Sequence, residues 1–207
     1  HTTGQFHLNP DTRPQRDRLR LDTVSLRGMF NQQVHGSKRS LRSIEDFTEF
    51  EQRTAYFNGD PIRAMKQGMN VIDRLQVAHM AQIQNMIDFP PAPRLDPMTG
   101  RLDRARASQQ EIAGEDLFFG KARCVTCHQP PAYTDHMLHD LFLERFGAEA
   151  DGPIKSFALR GIKDSPPYLH DGRLLTLEDT VEFFNLVAGL QLNGDEKSAL
   201  VAFMRAL

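Results

Sequence analysis

The stretch Cys124-Val125-Thr126-Cys127-His128 decides how the rest of this sequence is interpreted. It contains both cysteines of the 207-residue chain, at the Cys-x-x-Cys-His spacing of covalent haem attachment. Two thiols at this spacing form thioethers with the vinyl groups of haem, and the adjacent histidine offers a ring nitrogen to the iron. The stretch therefore predicts one c-type haem, bound through Cys124 and Cys127, with His128 as the proximal iron ligand.

The motif has two other interpretations, which its surroundings favour less. A thioredoxin-like redox pair would be expected in a βαβ context, whereas the flanking sequence has a helical pattern. A zinc site would need further ligands at close spacing, and His136 or His139 could supply them. Because both cysteines belong to the motif, none remains for a structural disulfide.

The sequence on either side of the motif is helical. Ser108-Gln109-Gln110-Glu111 has the pattern of a capping box and predicts a helix that runs to about Phe119. Gly114 in this helix would let a second helix approach closely. Residues 195–207 predict an amphipathic helix whose apolar face carries Leu200, Phe203, Met204 and Leu207. The order of helix, haem motif, loop and final helix predicts an all-α, cytochrome c-like domain over residues 108–207.

The composition disfavours several other classes of protein. Hydrophobic residues make up 40% of the chain and charged residues 25%, as in ordinary globular proteins. The formal net charge of −2 provides no strong attraction to nucleic acid. No apolar run approaches the ~20 residues that a membrane-spanning helix needs. We therefore expect neither a nucleic-acid partner nor a transmembrane segment.

A weak internal repeat indicates a second, earlier cytochrome-like unit. Three blocks match at offsets of 132 or 133 residues, and a fourth matches after a two-residue slip. The matched blocks are Phe6-His7-Leu8 with Leu138-His139-Asp140, Ser25–Met29 with Ala158–Ile162, Val34-His35-Gly36 with Leu169–Gly172, and Ser43–Phe50 with Thr176–Phe183. Residues 1–60 are accordingly predicted to be the remnant of a first cytochrome c-like domain. Its own haem motif, and a second haem, are expected upstream of residue 1.

Residues 61–107 are predicted to connect the two units. Asp60-Pro61 has the pattern of a helix start, and Phe89-Pro90-Pro91 would end that helix. An apolar stripe along it predicts one long connecting helix with a buried face, formed by Ile62, Met65, Met69, Ile72, Leu75, Met80, Ile83, Met86 and Ile87. His79 and these methionines are interpreted as core residues of the helix rather than iron ligands. The Pro- and Arg-rich residues 90–107 are interpreted as a linker.

The second unit resembles the bacterial dihaem cytochrome c peroxidase superfamily, which includes the methylamine-utilisation dihaem enzymes. The resemblance covers residues 108–207 well and residues 1–60 weakly. Its most specific part is Pro166-Pro167-Tyr168-Leu169-His170-Asp171-Gly172 together with the haem motif. The other matching stretches are Gly114-x-x-Leu117-Phe118, Tyr133-Thr134-Asp135, Leu138-His139-Asp140, Ser156-x-x-Leu159-Arg160-Gly161 and Thr176-Leu177-Glu178-Asp179.

The resemblance implies a periplasmic haem oxidoreductase with two haems, one relaying electrons and the other reacting with peroxide. This chain would supply the electron-transfer haem, and the missing N-terminal haem segment of the same protein would supply the other. A small soluble donor protein would deliver the electrons. Val34-His35-Gly36-Ser37 departs from the family's peroxidatic loop, and no catalytic residue can be assigned. The alternative is a pure electron-transfer cytochrome c without a substrate of its own.

The second axial position of the iron is the main departure from the family. Relatives that fix this position place a Met or Tyr fourteen residues after the His of the Pro-Tyr-x-His-Asp-Gly block. Here that position is Phe184, which has no lone pair to offer. His170 is the first candidate for a distal ligand, and its competing interpretation is a supporting role beside the haem. His139, His136 and Met137 follow as weaker candidates.

Overall fold

The computed structural model describes residues 6–7, 19–20, 25–32, 34–36, 39–51, 61–141 and 152–207. Within them the chain is mostly helical, with two short antiparallel strand pairs, which confirms the all-α, cytochrome c-like class. The strands are β1 Phe6–His7, β2 Leu19–Arg20, β3 Leu138–His139 and β4 Ile154–Lys155. The helices are α1 Ile44–Glu51, α2 Pro61–Lys66, α3 Arg74–Asn85, α4 Gln109–Phe119, α5 Leu177–Val187 and α6 Gly194–Ala206.

Helices α4 and α6 cross at Gly114. A Cβ atom at Gly114 would lie 2.0 Å from the carbonyl oxygen of Ala199, so no larger residue fits this contact. The predicted capping box is present, since the side chains of Ser108 and Glu111 each accept the other residue's backbone N–H. The predicted terminal helix is also present and starts one residue early, after the capping residue Asn193.

The core lies behind this crossing and is built on aromatic side chains. Phe118 of α4 and Phe203 of α6 have ring centroids 5.2 Å apart, in an edge-to-face arrangement. Tyr133 packs 5.7 Å from Phe118 and 6.0 Å from Phe203. Leu200, Met204 and Leu207, which the sequence pattern placed on the apolar face of the final helix, are buried in the same core.

The connecting region is not one long helix, so that prediction is wrong. Helix α2 ends at Lys66, and α3 begins only at Arg74 with a capping box between Asp73 and Gln76. Gly68, with φ of +79°, lies in the break. Asp60 lies outside the described residues. The apolar stripe was read across this break, and most of its members are exposed: Ile62, Met65, Met69, Leu75, Ile83 and Met86. The buried residues of these helices are Ala64, Val77 and Ala81.

Residues 90–107 pack tightly against the second unit. Leu95 and Leu102 face each other across an isolated β-bridge, and both are buried in its core. Glu115 of α4 is buried, and its carboxylate accepts hydrogen bonds from Arg101 Nε at 2.8 Å and from the Leu102 N–H at 2.9 Å. The cationic side chains of this segment therefore compensate a carboxylate that burial would otherwise destabilise.

The internal repeat is visible in the backbone. Gly28 and Gly161 both have left-handed φ values, of 73° and 74°, and each precedes a 3₁₀ turn. The N–H of Gly28 donates to the Ile87 carbonyl at 2.8 Å, as that of Gly161 does to the Leu207 carbonyl at 3.0 Å. Helices α1 and α5 follow at the same offset as the glycines, 133 residues. We call residues 25–87 the first copy and residues 108–207 the second copy.

The structure corrects one pairing within the repeat. His35 forms a β-bridge with Leu41, and Tyr168 forms the equivalent bridge with Leu174. The donor–acceptor distances from His35 N and Tyr168 N to the opposite carbonyls are 2.8 and 2.7 Å. His35 therefore corresponds to Tyr168 at the constant offset of 133, and the alignment of His35 with His170 after a two-residue slip is wrong.

Helix length also bears on membranes. None of the helices in the described part of the chain is both long enough and apolar enough to cross a bilayer.

Candidate haem-binding site

The predicted haem motif forms a single tight turn. Cys124–Thr126 is a 3₁₀ helix, and the Cys124 carbonyl accepts the N–H groups of Cys127 at 3.3 Å and His128 at 3.0 Å. Both cysteines are free thiols and half-buried. This turn brings Cys124, Cys127 and His128 together within five residues, as attachment of one haem requires.

The ring of His128 is oriented by a backbone acceptor. Its Nδ1 lies 2.9 Å from the Tyr133 carbonyl oxygen. A carbonyl can only accept, so Nδ1 carries the hydrogen and the neutral ring keeps its lone pair on Nε2. Burial lowers the pKa of His128, which favours this neutral form. A histidine whose Nδ1–H is held in this way is the usual arrangement for a metal ligand.

Tyr133 is fixed in its turn by the core. Its side chain is fully buried, and its hydroxyl donates to the Gly100 carbonyl at 2.8 Å. The aromatic cluster therefore positions the carbonyl that orients His128. This role could not be predicted from the sequence, because a backbone acceptor leaves no residue-type signature. Tyr133-Thr134-Asp135 is nevertheless one of the stretches that carry the resemblance.

The two thiols are protonated at neutral pH. Burial raises the pKa of Cys124 to about 11. Burial, followed by the nearby carboxylate of Asp135, raises the pKa of Cys127 as well. Cysteine pairs that exchange disulfides depend on a lowered thiol pKa. The electrostatics of this pair therefore disfavour the thioredoxin-like interpretation.

Asp135 organises the loop that follows the motif. Its N–H donates to the Cys127 carbonyl at 2.8 Å, and its carboxylate accepts from the Met137 N–H at 2.9 Å and from Ser156 Oγ. His139 Nε2 lies 2.8 Å from the same carboxylate. Although burial opposes it, these hydrogen bonds hold the pKa of Asp135 below its ordinary value.

The side chains of the same loop test whether the motif could instead bind zinc. In the described part of the chain, the one group of three metal-ligating side chains whose atoms all lie within 4.8 Å is Cys127, Asp135 and His139. His139 was one of the two histidines expected to complete a zinc site. Cys124 and His128 are not members of this group, so the Cys-x-x-Cys-His ligands do not gather around a common point as a tetrahedral zinc site requires.

The remaining candidate ligands are held in different ways. His136 Nε2 lies 3.1 Å from Asn31 Oδ1, and Met137 is exposed. His170 is half-buried in the loop that the Tyr168–Leu174 bridge closes. Phe184 lies on α5, with its ring 5.5 Å from that of Phe183. The described contacts do not join His170 to the haem motif, so its role as distal ligand stays a prediction.

The chain is similar in sequence to peroxidases and to a methylamine utilization protein. No family model matches the sequence. A cytochrome c peroxidase of Denitromonas iodatirespirans is 30% identical over 51% of this chain and 41% of that protein. The cytochrome c551 peroxidase of Nitrosomonas europaea is 32% identical over 66% of this chain and 44% of its own length. MauG, the methylamine utilization protein of Methylorubrum extorquens, is 29% identical over 49% of this chain and 32% of its own. The chain is similar to proteins of the dihaem cytochrome c peroxidase and MauG superfamily.

Solved structures support the fold. A MauG-like protein associated with microbial copper homeostasis matches with a TM-score of 0.65 and 17% identity, over 92% of this chain and 74% of that chain. Kuenenia stuttgartiensis hydrazine synthase matches with a TM-score of 0.57 and 18% identity, over 78% and 61%. The chain spans 41% and 44% of the length of the two peroxidases. Its relatives include cytochrome c peroxidases, which supports the predicted oxidoreductase class.

Proposed function

We propose that this chain supplies the electron-transfer haem domain of a periplasmic, peroxidase-like oxidoreductase. Cys124 and Cys127 would hold one haem through thioethers, and His128 would bind its iron through Nε2. The haem supplies one-electron redox chemistry. A small soluble donor protein would reduce it, and peroxide would be the oxidant of the complete protein.

One observation carries this proposal. The Cys124–Thr126 turn sets both thiols beside a neutral histidine whose Nδ1–H is held by the Tyr133 carbonyl. The thiols are protonated, the free lone pair is on Nε2, and the core that fixes Tyr133 is rigidly packed. These residues fit a covalently attached haem. The superfamily relationship supports oxidoreductase chemistry, and periplasmic location follows from where c-type haem is attached in bacteria.

The chain's own residues would have three tasks. His128 would bind the iron and orient the haem, and the Tyr133 carbonyl fixes the tautomer of the His128 ring. Asp135 holds the loop that closes over Cys127, through its N–H bond to the Cys127 carbonyl. His170 remains our candidate for the second axial position, because Phe184 cannot coordinate iron.

The alternative function is a pure electron-transfer cytochrome, and the haem's coordination distinguishes the two. We would record absorption spectra of the haem-loaded chain, ferric and dithionite-reduced, with and without carbon monoxide. A low-spin spectrum that carbon monoxide does not change is expected for an electron-relay haem. Loss of that spectrum in His170→Ala, with covalent haem retained, would assign His170 as the distal ligand. A high-spin spectrum that shifts with carbon monoxide would contradict the relay role and make this domain the candidate reaction site.

A further inference from the structure

A cluster of buried polar side chains lies where the first copy meets the second. We call it the junction pocket and define it by His35 and Arg39 of the first copy and His136 and Lys155 of the second. Burial, and then the charge of Lys155, lower the pKa of both His35 and His136. Burial, and then the charge of Arg39, lower the pKa of Lys155 to about 8. The four side chains are therefore close enough to act on one another.

Two hydrogen bonds join the copies at this place. Asn31 Oδ1 lies 3.1 Å from His136 Nε2. Lys155 Nζ donates to the carbonyl of Gln32. Both acceptors belong to the turn that precedes His35, so the pocket is a fixed part of the contact between the copies.

The junction pocket contains polar atoms without partners. His35 is 1% exposed, and neither of its ring nitrogens has a hydrogen-bond partner among the described residues. His136 Nδ1 and Arg39 Nε are buried and equally unpaired within the described part of the chain. Buried polar groups in proteins nearly always have a partner, so such a cluster indicates a group that binds here.

The second copy shows that the fold does not require an unpaired polar side chain at the position of His35. At the position equivalent to His35, the Tyr168 hydroxyl donates to the Ile162 carbonyl at 3.2 Å. The equivalent side chain is thus satisfied within its own copy. Of these two equivalent positions, only His35 is left without a hydrogen-bond partner among the described residues.

The charges of the junction pocket fit an anion. Lys155 is 2% exposed. The ion pairs of the described residues include neither Lys155 nor Arg39. The acidic groups that face the histidines are Glu45, near His35, and Asp135, near His136. Asp135 already accepts hydrogen bonds from three neighbours. The two cations, the unpaired N–H at Arg39 Nε and the one N–H of the neutral His35 ring would bind a carboxylate well, because charge-assisted hydrogen bonds are the strongest available.

The haem motif adjoins the junction pocket on two chain segments. The N–H of Asp135, the residue before His136, bonds to the Cys127 carbonyl. The backbone of Phe157, two residues after Lys155, is among the groups that act on the ring of His128. A carboxylate of the haem held by this motif would therefore lie close to the junction pocket.

We propose that His35, Arg39 and Lys155, in the pocket that His136 helps to line, bind a propionate carboxylate of the haem held by Cys124, Cys127 and His128. This inference rests on the proposed function. It means that the first copy completes the haem site of the second copy. Positive charge beside the haem favours the ferrous state, so the junction pocket would raise the midpoint potential.

The test is the midpoint potential of the haem-loaded chain carrying Lys155→Gln. We expect a tenfold shift of the haem towards the ferric state at a given potential, which is a fall of about 59 mV for a one-electron couple. The matched control is Lys197→Gln, which removes a lysine charge from the Lys197–Glu182 pair on α6. Equal potentials in the two variants would overturn the proposal. Arg39→Gln gives a second measurement if Lys155→Gln does not load haem, with a fall of the same sign.

Two further measurements test whether the bound carboxylate is a haem propionate. In resonance Raman spectra the propionate bending band should shift in His35→Phe and stay unchanged in Lys197→Gln. If inorganic phosphate lowers the potential of the wild type but not of Lys155→Gln, the pocket binds a free anion and the propionate assignment is wrong. Covalent haem content, measured as the pyridine haemochrome, keeps the two proposals separate. A wild-type chain without covalent haem refutes the proposed function, whereas a loaded chain with unshifted variants refutes only the pocket.

Discussion

The two copies share a backbone plan but differ in how their interiors are satisfied. In the second copy, a large core of aromatic and aliphatic side chains surrounds Tyr133 and reaches the haem motif. In the first copy, the described core consists of Met29, Ile44 and Ala81, and His35 has no partner among the described residues. The interior of the second copy is therefore filled by its own side chains, whereas the first copy has a small described core and leaves His35 unpaired among the described residues.

The largest expected effect is the loss of covalent haem when the two cysteines of the second copy are replaced. In Cys124→Ala/Cys127→Ala, both thioether positions are lost, and we expect covalent haem to fall to the background level. Haem staining of the protein after denaturing electrophoresis measures this. Thr126→Ala lies in the same turn at an exposed position and should keep full haem content. Haem that resists acid extraction in the double variant would contradict the assignment of the motif.

The next effect probes the tight packing of the second copy. Gly114→Val places side-chain atoms where the Ala199 carbonyl lies, only 2.0 Å from the position of a Cβ. We expect a loss of about 3 kcal/mol in the free energy of unfolding, because the backbone of α6 must move. Urea denaturation of the haem-loaded chain measures it. Gly194→Ala, where a Cβ meets nothing within 4 Å, should cost little. Equal stability of the two variants would mean that α4 and α6 do not cross at this glycine.

Much of the second copy could be predicted because its signals are local. The Ser108 capping box and the apolar face around Phe203 depend on residues three or four positions apart, and both were confirmed. The break between α2 and α3 was missed because the apolar stripe continues across Gly68. The pairing of His35 was misread because a Val-His-Gly likeness outweighed the register of the β-bridge.

The candidate site also contains parts that could be predicted from the sequence and parts that could not. The sequence motif placed the two thiols and His128, whose types and spacing are specific. It could not place the Tyr133 carbonyl or the junction pocket, because both depend on contacts between residues that are distant in sequence or on backbone atoms. Long-range contacts of this kind leave no periodic pattern for a sequence to display.

A third prediction concerns the equivalent positions Tyr168 and His35. Tyr168→Phe removes the hydrogen bond to the Ile162 carbonyl, and we expect a cost of about 1 kcal/mol in the free energy of unfolding. The midpoint potential should stay that of the wild type, since this hydroxyl is satisfied inside its own copy. His35→Phe should instead change the potential. The comparison fails if the tyrosine variant moves the potential and the histidine variant does not.

The smallest expected effect is on the free energy of unfolding, when the N-terminal caps of the equivalent helices α1 and α5 are removed. Before α5, Thr176 and Asp179 form a complete capping box, with N···O distances of 3.0 Å in both directions. Before α1, Ser43 Oγ accepts the Asp46 N–H at 3.1 Å, but the Asp46 carboxylate accepts from the N–H of Arg42 instead.

Removal of the cap hydroxyl leaves a helix N–H without its acceptor, so both Thr176→Ala and Ser43→Ala should destabilise the chain. We expect about 1 kcal/mol for Thr176→Ala and about 0.5 kcal/mol for Ser43→Ala, measured by urea denaturation at neutral pH. Thr176 lies in the well-packed copy, where fraying of α5 would expose Leu177 and Val181. A larger loss for Ser43→Ala would show that the first copy depends on local hydrogen bonds more than on its small described core.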